Sequence, residues 1–301
     1  MLVCDSSSTV VVQDADEDVC YPGGSYHAIR PAMTDLLAPL PLRPDVSGVA
    51  SDCRQIRFDR ADPRWAEPMV DLAAEDLLVE AWYARTDGCN EPYNAPIAGA
   101  VKTVAARASV ARLLRAADAA VRPRGLRIKV VDAWRSVATQ AGLWSFFWDQ
   151  VGRERPELDN TEREAIVKTF VSDPRRFDPA DDTTWPIHSS GGAVDVMLVD
   201  AASGEMLDHG AGFDEAHERS YTDHYERLLA QGAIAPDDAR LLNRRILVNA
   251  MVNAGFSNYV YEFWHFDYGT QLHVLTLAQS GASNAPKLAW YGTTTLAEGL
   301  P

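Results

Sequence analysis

Two apolar stretches of strand length, set among helical stretches without a regular strand–helix rhythm, constrain this 301-residue chain most. LRIKVVDAW (126–134) opens with Leu126, Ile128 and Val130 alternating against Arg127 and Lys129, the pattern of a strand with one wetted face. AVDVMLVD (193–200) is apolar almost throughout and reads as a buried strand. Around them the pattern turns helical. Residues 100–121 form an Ala-rich amphipathic stretch stopped by Pro123 and Gly125, and a second helix is expected through Gln140 to Gln150. Thr161 with Glu164 has capping-box spacing ahead of EREAIVKTFV, and residues 236–254 form a further helix ended by Gly255. FSNYVYEFWHFDYG, rich in aromatic and β-branched residues, reads as an interrupted strand. Irregular order of this kind favours α+β over a doubly wound parallel sheet, and no internal repeat suggests a solenoid.

The organisation follows from composition along the chain. Residues 1–20 read as a mobile acidic leader, 21–69 as an irregular arm rich in Pro and Gly (YPGG, RPAM, APLPLRPD) packed on a domain, 70–270 as the domain and 271–301 as a loop-like tail. Against 43 Asp and Glu stand 28 Lys and Arg, a net charge of −15 that repels phosphate backbones and anionic lipid. No apolar run reaches the roughly 20 residues of a membrane span, and the N-terminus lacks the basic start of a signal peptide. Cys4, Cys20, Cys53 and Cys89 are too scattered for a metal knuckle or a dense disulfide framework, so a cytoplasmic protein with reduced thiols is expected.

Two of the seven histidines sit in unusual company. His188 opens HSSGGAVD, which ends in Asp195, and His265 closes EFWH, three residues after Glu262. Two imidazoles and a carboxylate from separate elements suffice for a catalytic zinc with its fourth position open. Gly191 and Gly192 would let a loop histidine and a strand aspartate reach one ion. An offset of three puts Glu262 and His265 on opposite faces of a strand, so a bulge near Phe263 and Trp264 is expected to bring both inward. Glu262 then suits a general base. Spacing alone leaves open whether these are ligands or ordinary structural histidines; His27, His209, His217, His224 and His273 read as the latter.

HSSGGAVD followed by EFWH resembles the S-x-H-x-x-G-x-A-x-D and E-x-W-H signature of the zinc D-alanyl-D-alanine dipeptidases, the VanX-like enzymes of vancomycin resistance. DAWRS (132–136) resembles their D-x-Y-R-P, GAGFDEAHERS (210–220) their G-x-x-F-D followed by E-R-S, and WYARTDGCN (82–90) their Y-A-x-x-D-N-F. The resemblance runs in consistent order over residues 70 to 270. It implies a small antiparallel sheet flanked by helices, the Hedgehog/DD-peptidase-like metallopeptidase fold. It also implies one Zn²⁺ per chain on His188, Asp195 and His265, Glu262 as base, Arg135 supporting the polarised carbonyl, and Asp214 with Tyr83 holding the substrate's ammonium.

The chain departs from that pattern at the substrate rim. The family serine two positions before the first histidine is Pro186, the tyrosine of D-x-Y-R-P is Trp134, and the proline after the arginine is Ser136. Hydrolysis of a dipeptide or similarly small amide with a free amino end is the expected activity. An iron(II) tailoring enzyme on the same ligand set, or a non-catalytic small-molecule binder, are the alternatives. Asp214 is also readable as a helix N-cap ahead of EAHERS.

Overall fold

The computed structural model describes residues 35–42, 53–215, 217–281 and 284–296. The expected leader, Cys4, Cys20, His27 and most of the arm before residue 53 lie outside the described residues. Seven strands are present among them: β1 (Met69–Asp71), β2 (Leu78–Val79), β3 (Ala105–Arg107), β4 (Leu126–Asp132), β5 (Ala193–Asp200), β6 (Ser257–Asn258) and β7 (His265–Asp267). They form a two-stranded sheet, β1–β3, and a five-stranded sheet in the order β2–β4–β5–β7–β6. The helices are α1 (Ala108–Val121), α2 (Val137–Glu154), α3 (Asn160–Phe170), α4 (His224–Ala230), α5 (Ala239–Ala254) and α6 (Gln271–Gln279). The class is α+β. The sheet is mixed rather than purely antiparallel, because β2 runs parallel to β4.

β5 is buried along seven of its eight residues, which is why its sequence is apolar throughout. Helix α1 buries Val110, Leu114, Ala117 and Val121, the i, i+4, i+7, i+11 stripe of one helical face, and packs against α5 and β4. The turn from α1 into β4 is held by Asp118. Its fully buried carboxylate accepts Arg122 Nε at 2.8 Å, Arg127 Nε at 2.9 Å and the backbone N–H of Ile128 at 2.8 Å.

Three local expectations are corrected. The helix expected from residue 100 starts at Ala108, because Ala105–Arg107 pair with Met69–Asp71 and Trp134 N–H donates to Ala105 O at 2.8 Å. Cross-strand pairing outweighs the helix preference of alanine here. The capping box of α3 is Asp159 with Glu162, not Thr161 with Glu164; Glu164 pairs instead with Lys168 at 2.5 Å and Arg175 at 2.8 Å. The tail is not loop-like throughout. It begins with α6, and Ala289, Trp290 and Tyr291 return into the core, where Ala289 pairs with Phe58.

Replacing Asp118 by Ala removes the ion pairs with Arg122 and Arg127 and leaves the Ile128 N–H without its acceptor. The variant is expected to lose about 3 kcal/mol of unfolding free energy. Urea denaturation checks this; an unchanged midpoint would show that the Asp118 cluster is dispensable.

Candidate active site

Asp195 is paired with Asp132 across β4–β5 and with His265 across β5–β7, so three chemically active side chains lie on one line across the sheet. Directly opposed residues project to the same face, so all three point to one side. The register shifts between Val130 and Asp132, and that irregularity puts Asp132 rather than Val131 opposite Asp195.

His188 arrives from the 3-10 turn Ile187–Ser190, which ends at Gly191 in the left-handed region (φ +71°). A side chain at Gly192 would place its Cβ 2.6 Å from the carbonyl oxygen of Tyr268, so only glycine permits that approach to β7. The His188 Nδ1–H donates to Ala133 O at 2.8 Å, which turns Nε2 into the cavity. His265 is fixed the other way round: its Nε2 meets Asp267 Oδ2 at 2.9 Å, and Nδ1 faces inward.

The inward atoms converge. His188 Nε2 lies 3.2 Å from His265 Nδ1 and 3.5 Å from Asp195 Oδ2, and His265 Nδ1 lies 3.1 Å from Asp195 Oδ1. Ligands held about 2.0–2.1 Å from a tetrahedral zinc stand about 3.3 Å apart, so the spacing fits such an ion. Burial, with the nearby charge of Arg135, pushes the His188 imidazolium down to about 3, which leaves the neutral ring a ligand requires. Burial opposes a charge on His265 as well, but the carboxylates of Asp267 and Asp195 outweigh it and hold the group well above its ordinary range. The buried carboxylates thus favour positive charge between the histidines and Asp195, and a divalent ion held there would supply it. These three residues are the cluster among the described residues that could hold a metal ion.

Glu262 reaches the same point by a route the sequence did not suggest. No bulge forms at Phe263 and Trp264. Residues 259–264 instead loop between β6 and β7, closed by Tyr259 N–H to His265 O at 3.0 Å and His265 N–H to Glu262 O at 3.2 Å. Glu262 Oε2 ends 3.8 Å from His265 Nδ1. Its side chain lines the cavity, and burial among the surrounding residues raises its carboxyl to about 7, with Asp195 and Asp214 adding to the rise.

Arg135 is engaged through four of its five N–H donors rather than presented as a free fork. Nε donates to Asp132 Oδ2 at 2.9 Å, Nη1 to Gln140 Oε1 at 3.1 Å, and Nη2 to the Tyr83 hydroxyl at 2.9 Å and Asp195 Oδ2 at 3.3 Å. Asp214 does not cap a helix. It stands at φ +57°, and its Oδ2 accepts the hydroxyls of Tyr83 at 2.6 Å and Tyr93 at 2.8 Å. Burial raises Asp214 to about 6.

Each residue singled out in the sequence lines one cavity of about 630 Å³: Tyr83, Arg135, His188, Asp195, Asp214, Glu262 and His265. Pro186 lines it too, whereas Ser136, in place of the family proline, caps α2 by accepting Thr139 N–H at 3.0 Å. His209 stacks on Phe263 and His273 bonds Ser257, both as structural groups. Sequence reading missed Tyr93, Asp132 and Asp267. Asp267 was legible, since i and i+2 on a strand share a face with His265. Asp132 opened the quoted DAWRS, and Tyr93 lay in a stretch too altered to align.

Asp267 orients the His265 ring, so Asp267→Ala is expected to weaken divalent-cation affinity 10- to 100-fold. Competition against a chelator measures it, and unchanged affinity would remove Asp267 from the site.

The family profile of the D-Ala-D-Ala dipeptidases (peptidase M15) matches residues 68–282. A D-alanyl-D-alanine dipeptidase of Escherichia coli (strain K12) is 33% identical over 144 residues, which cover 48% of this chain and 55% of that one. One from Synechocystis sp. (strain ATCC 27184 / PCC 6803 / Kazusa) is 32% identical over 174 residues, covering 55% and 68% respectively. One from Enterococcus faecium is 37% identical over 111 residues, covering 37% and 44%. The chain thus spans about half the length of the curated relatives it matches. Its ligand geometry and its match over most of its own length agree: the chain belongs to the peptidase M15 family of D-Ala-D-Ala dipeptidases.

Proposed function

We propose that this chain hydrolyses a dipeptide of the D-Ala-D-Ala type, or a similarly small amide with a free amino end, and that it does so with one zinc ion held by His188, Asp195 and His265. One observation carries the reading. A three-ligand cluster, a carboxyl poised near neutrality and an anion for an ammonium all open on one cavity. The curated relatives named as D-alanyl-D-alanine dipeptidases support it.

When bound, zinc polarises the scissile carbonyl and acidifies a water beside it. Glu262 accepts that water's proton as the oxygen adds to the carbonyl carbon, then hands it to the leaving nitrogen as the C–N bond breaks; the acid's remaining proton passes to the freed amine, leaving a carboxylate and an ammonium. A carboxyl near 7 can both take and return a proton at neutral pH. Arg135 contributes mainly fixed positive charge, since Asp132, Gln140, Tyr83 and Asp195 already take four of its five N–H donors. Its field supports charge developing on the carbonyl oxygen. Asp214 receives the ammonium, and the Tyr83 and Tyr93 hydroxyls hold that carboxylate in place. A pure binding role has no use for Glu262, so hydrolysis is favoured over it. No helix among the described residues is long and apolar enough to cross a membrane.

Metal analysis is expected to find one zinc per chain. In a dipeptide panel including D-Ala-D-Ala, Glu262→Gln is expected to keep the metal but lose about 10²- to 10⁴-fold in kcat. Full hydrolysis by that variant, or turnover that needs iron and oxygen, overturns the proposal.

Asp214 also sets a pH dependence. Its carboxyl is raised to about 6, and only the ionised form attracts an ammonium. Amine binding to the Glu262→Gln chain is therefore expected to be full above that pH and to weaken about tenfold per unit below it. Calorimetry across pH 4.5–8 tests this as an order-of-magnitude range; binding independent of pH would mean that Asp214 does not hold the amine.

A further inference from the structure

The catalytic cavity is lined in part by residues that precede the family match. That match begins at residue 68, yet Cys53 and Arg54 form part of the wall. Arg54 lies in the 3-10 turn Cys53–Gln55, and its Nη1 donates to Thr183 O at 2.8 Å. From that anchor Thr183, Thr184, Pro186 and Ile187 line the cavity down to the ligand His188. The five-residue path spans at most about 17 Å. Arg54 is therefore tied to the wall that ends at the metal ligands. Arg176 joins the lining from the short turn Pro174–Arg176.

These two guanidiniums differ from the other cations of the cavity. Lys168 is paired with Glu164 at 2.5 Å and lies 4.0 Å from Asp173, and Arg135 is committed to Asp132 and Asp195. Among the described residues neither Arg54 nor Arg176 meets a carboxylate, and the one hydrogen bond of Arg54 leaves most of its five donors unused. In a chain of net charge −15 the general field repels anions, so an anionic group enters this cavity only where local cations receive it. The wall between Arg54 and His188 also carries Pro186, where the family serine would have offered a hydroxyl to substrate. Proline has neither hydroxyl nor N–H, so a polar group of a substrate on this wall finds no donor at Pro186.

We infer that Arg54 and Arg176 receive an anionic group on the leaving half of the substrate. The substrates are then amides held by charge at both ends: ammonium at Asp214 and a carboxylate or larger anion at the two arginines. The inference rests on the hydrolase reading above and adds recognition residues, one of them supplied from outside the family match.

The test compares alanyl-alanine, as D,D and L,L forms, with the corresponding C-terminal amides. Wild type, Arg54→Gln, Arg176→Gln and the double variant are assayed in each case as the full, metal-loaded chain. Wild type is expected to favour the acid over the amide by about tenfold or more in kcat/KM. In the double variant that ratio falls toward one, through a higher KM for the acid and with kcat for the acid little altered. Equal use of acid and amide by wild type, or the same ratio in the double variant, overturns the inference. Calorimetric binding of acid and amide to Glu262→Gln, with and without the two arginine substitutions, reads the same discrimination without turnover. An absence of hydrolysis in wild type would therefore count against the hydrolase reading, while the binding ratio still decides the role of the arginines.

Discussion

The register of β4, β5 and β7 is the constraint on which the site depends. Asp132, Asp195 and His265 are successive partners across three strands, so their side chains share one face. A slip of one residue at β5 would turn Asp195 to the opposite face and present Val194 or Val196 to the histidines. Burial on both faces of β5 holds the register, since every alternative pairing would expose apolar residues or bury an unmatched carboxylate. The irregularity between Val130 and Asp132 completes the line by bringing Asp132 level with Asp195. Asp132 in turn holds Arg135 at 2.9 Å, and Arg135 reaches Tyr83 and the outer oxygen of Asp195.

Electrostatics then follow from crowding. Asp132, Asp195, Asp214, Glu262 and Asp267 surround the two imidazoles, with Arg135 as the fixed cation between them. Burial raises Asp132 and Glu262 to about 7 and Asp214 to about 6, and neighbouring carboxylates add to each rise. Such a cluster favours a dication at its centre. The chain's acidic groups thus include, besides exposed carboxylates, a few buried ones gathered at the candidate site.

Much of the architecture was legible. β4 and β5 showed as an alternating and a continuous apolar run, and the helices around Gln140–Gln150 and 236–254 showed by period and stop signals. The errors share a cause. Ala105–Arg107 sits in an Ala-rich stretch that reads as helix, but its backbone is captured by β1 and by Trp134. Thr161 has a good capping pattern, but Asp159 stands two residues earlier with an equally good one and a stronger acceptor. The tail looked like loop because Trp290 and Tyr291 bury themselves against distant residues rather than along a local period.

By itself the sequence singled out the residues proposed here as ligands. The residue types, the glycines beside His188 and the carboxylate three positions before His265 belong to local segments whose chemistry does not depend on where they end up. It also determined that two strands would be buried, because burial is written in side-chain polarity. Only the tertiary structure decided the face each group presents, the closed loop that carries Glu262 inward, the Tyr93 hydroxyl beside Asp214, and the arrival of Arg54 at the cavity wall. Those outcomes rest on strand register and on contacts between segments more than a hundred residues apart, as between Tyr83 and Asp214 or Arg54 and Thr183. Polarity and local period carry no record of such distances, and packing alone fixes them.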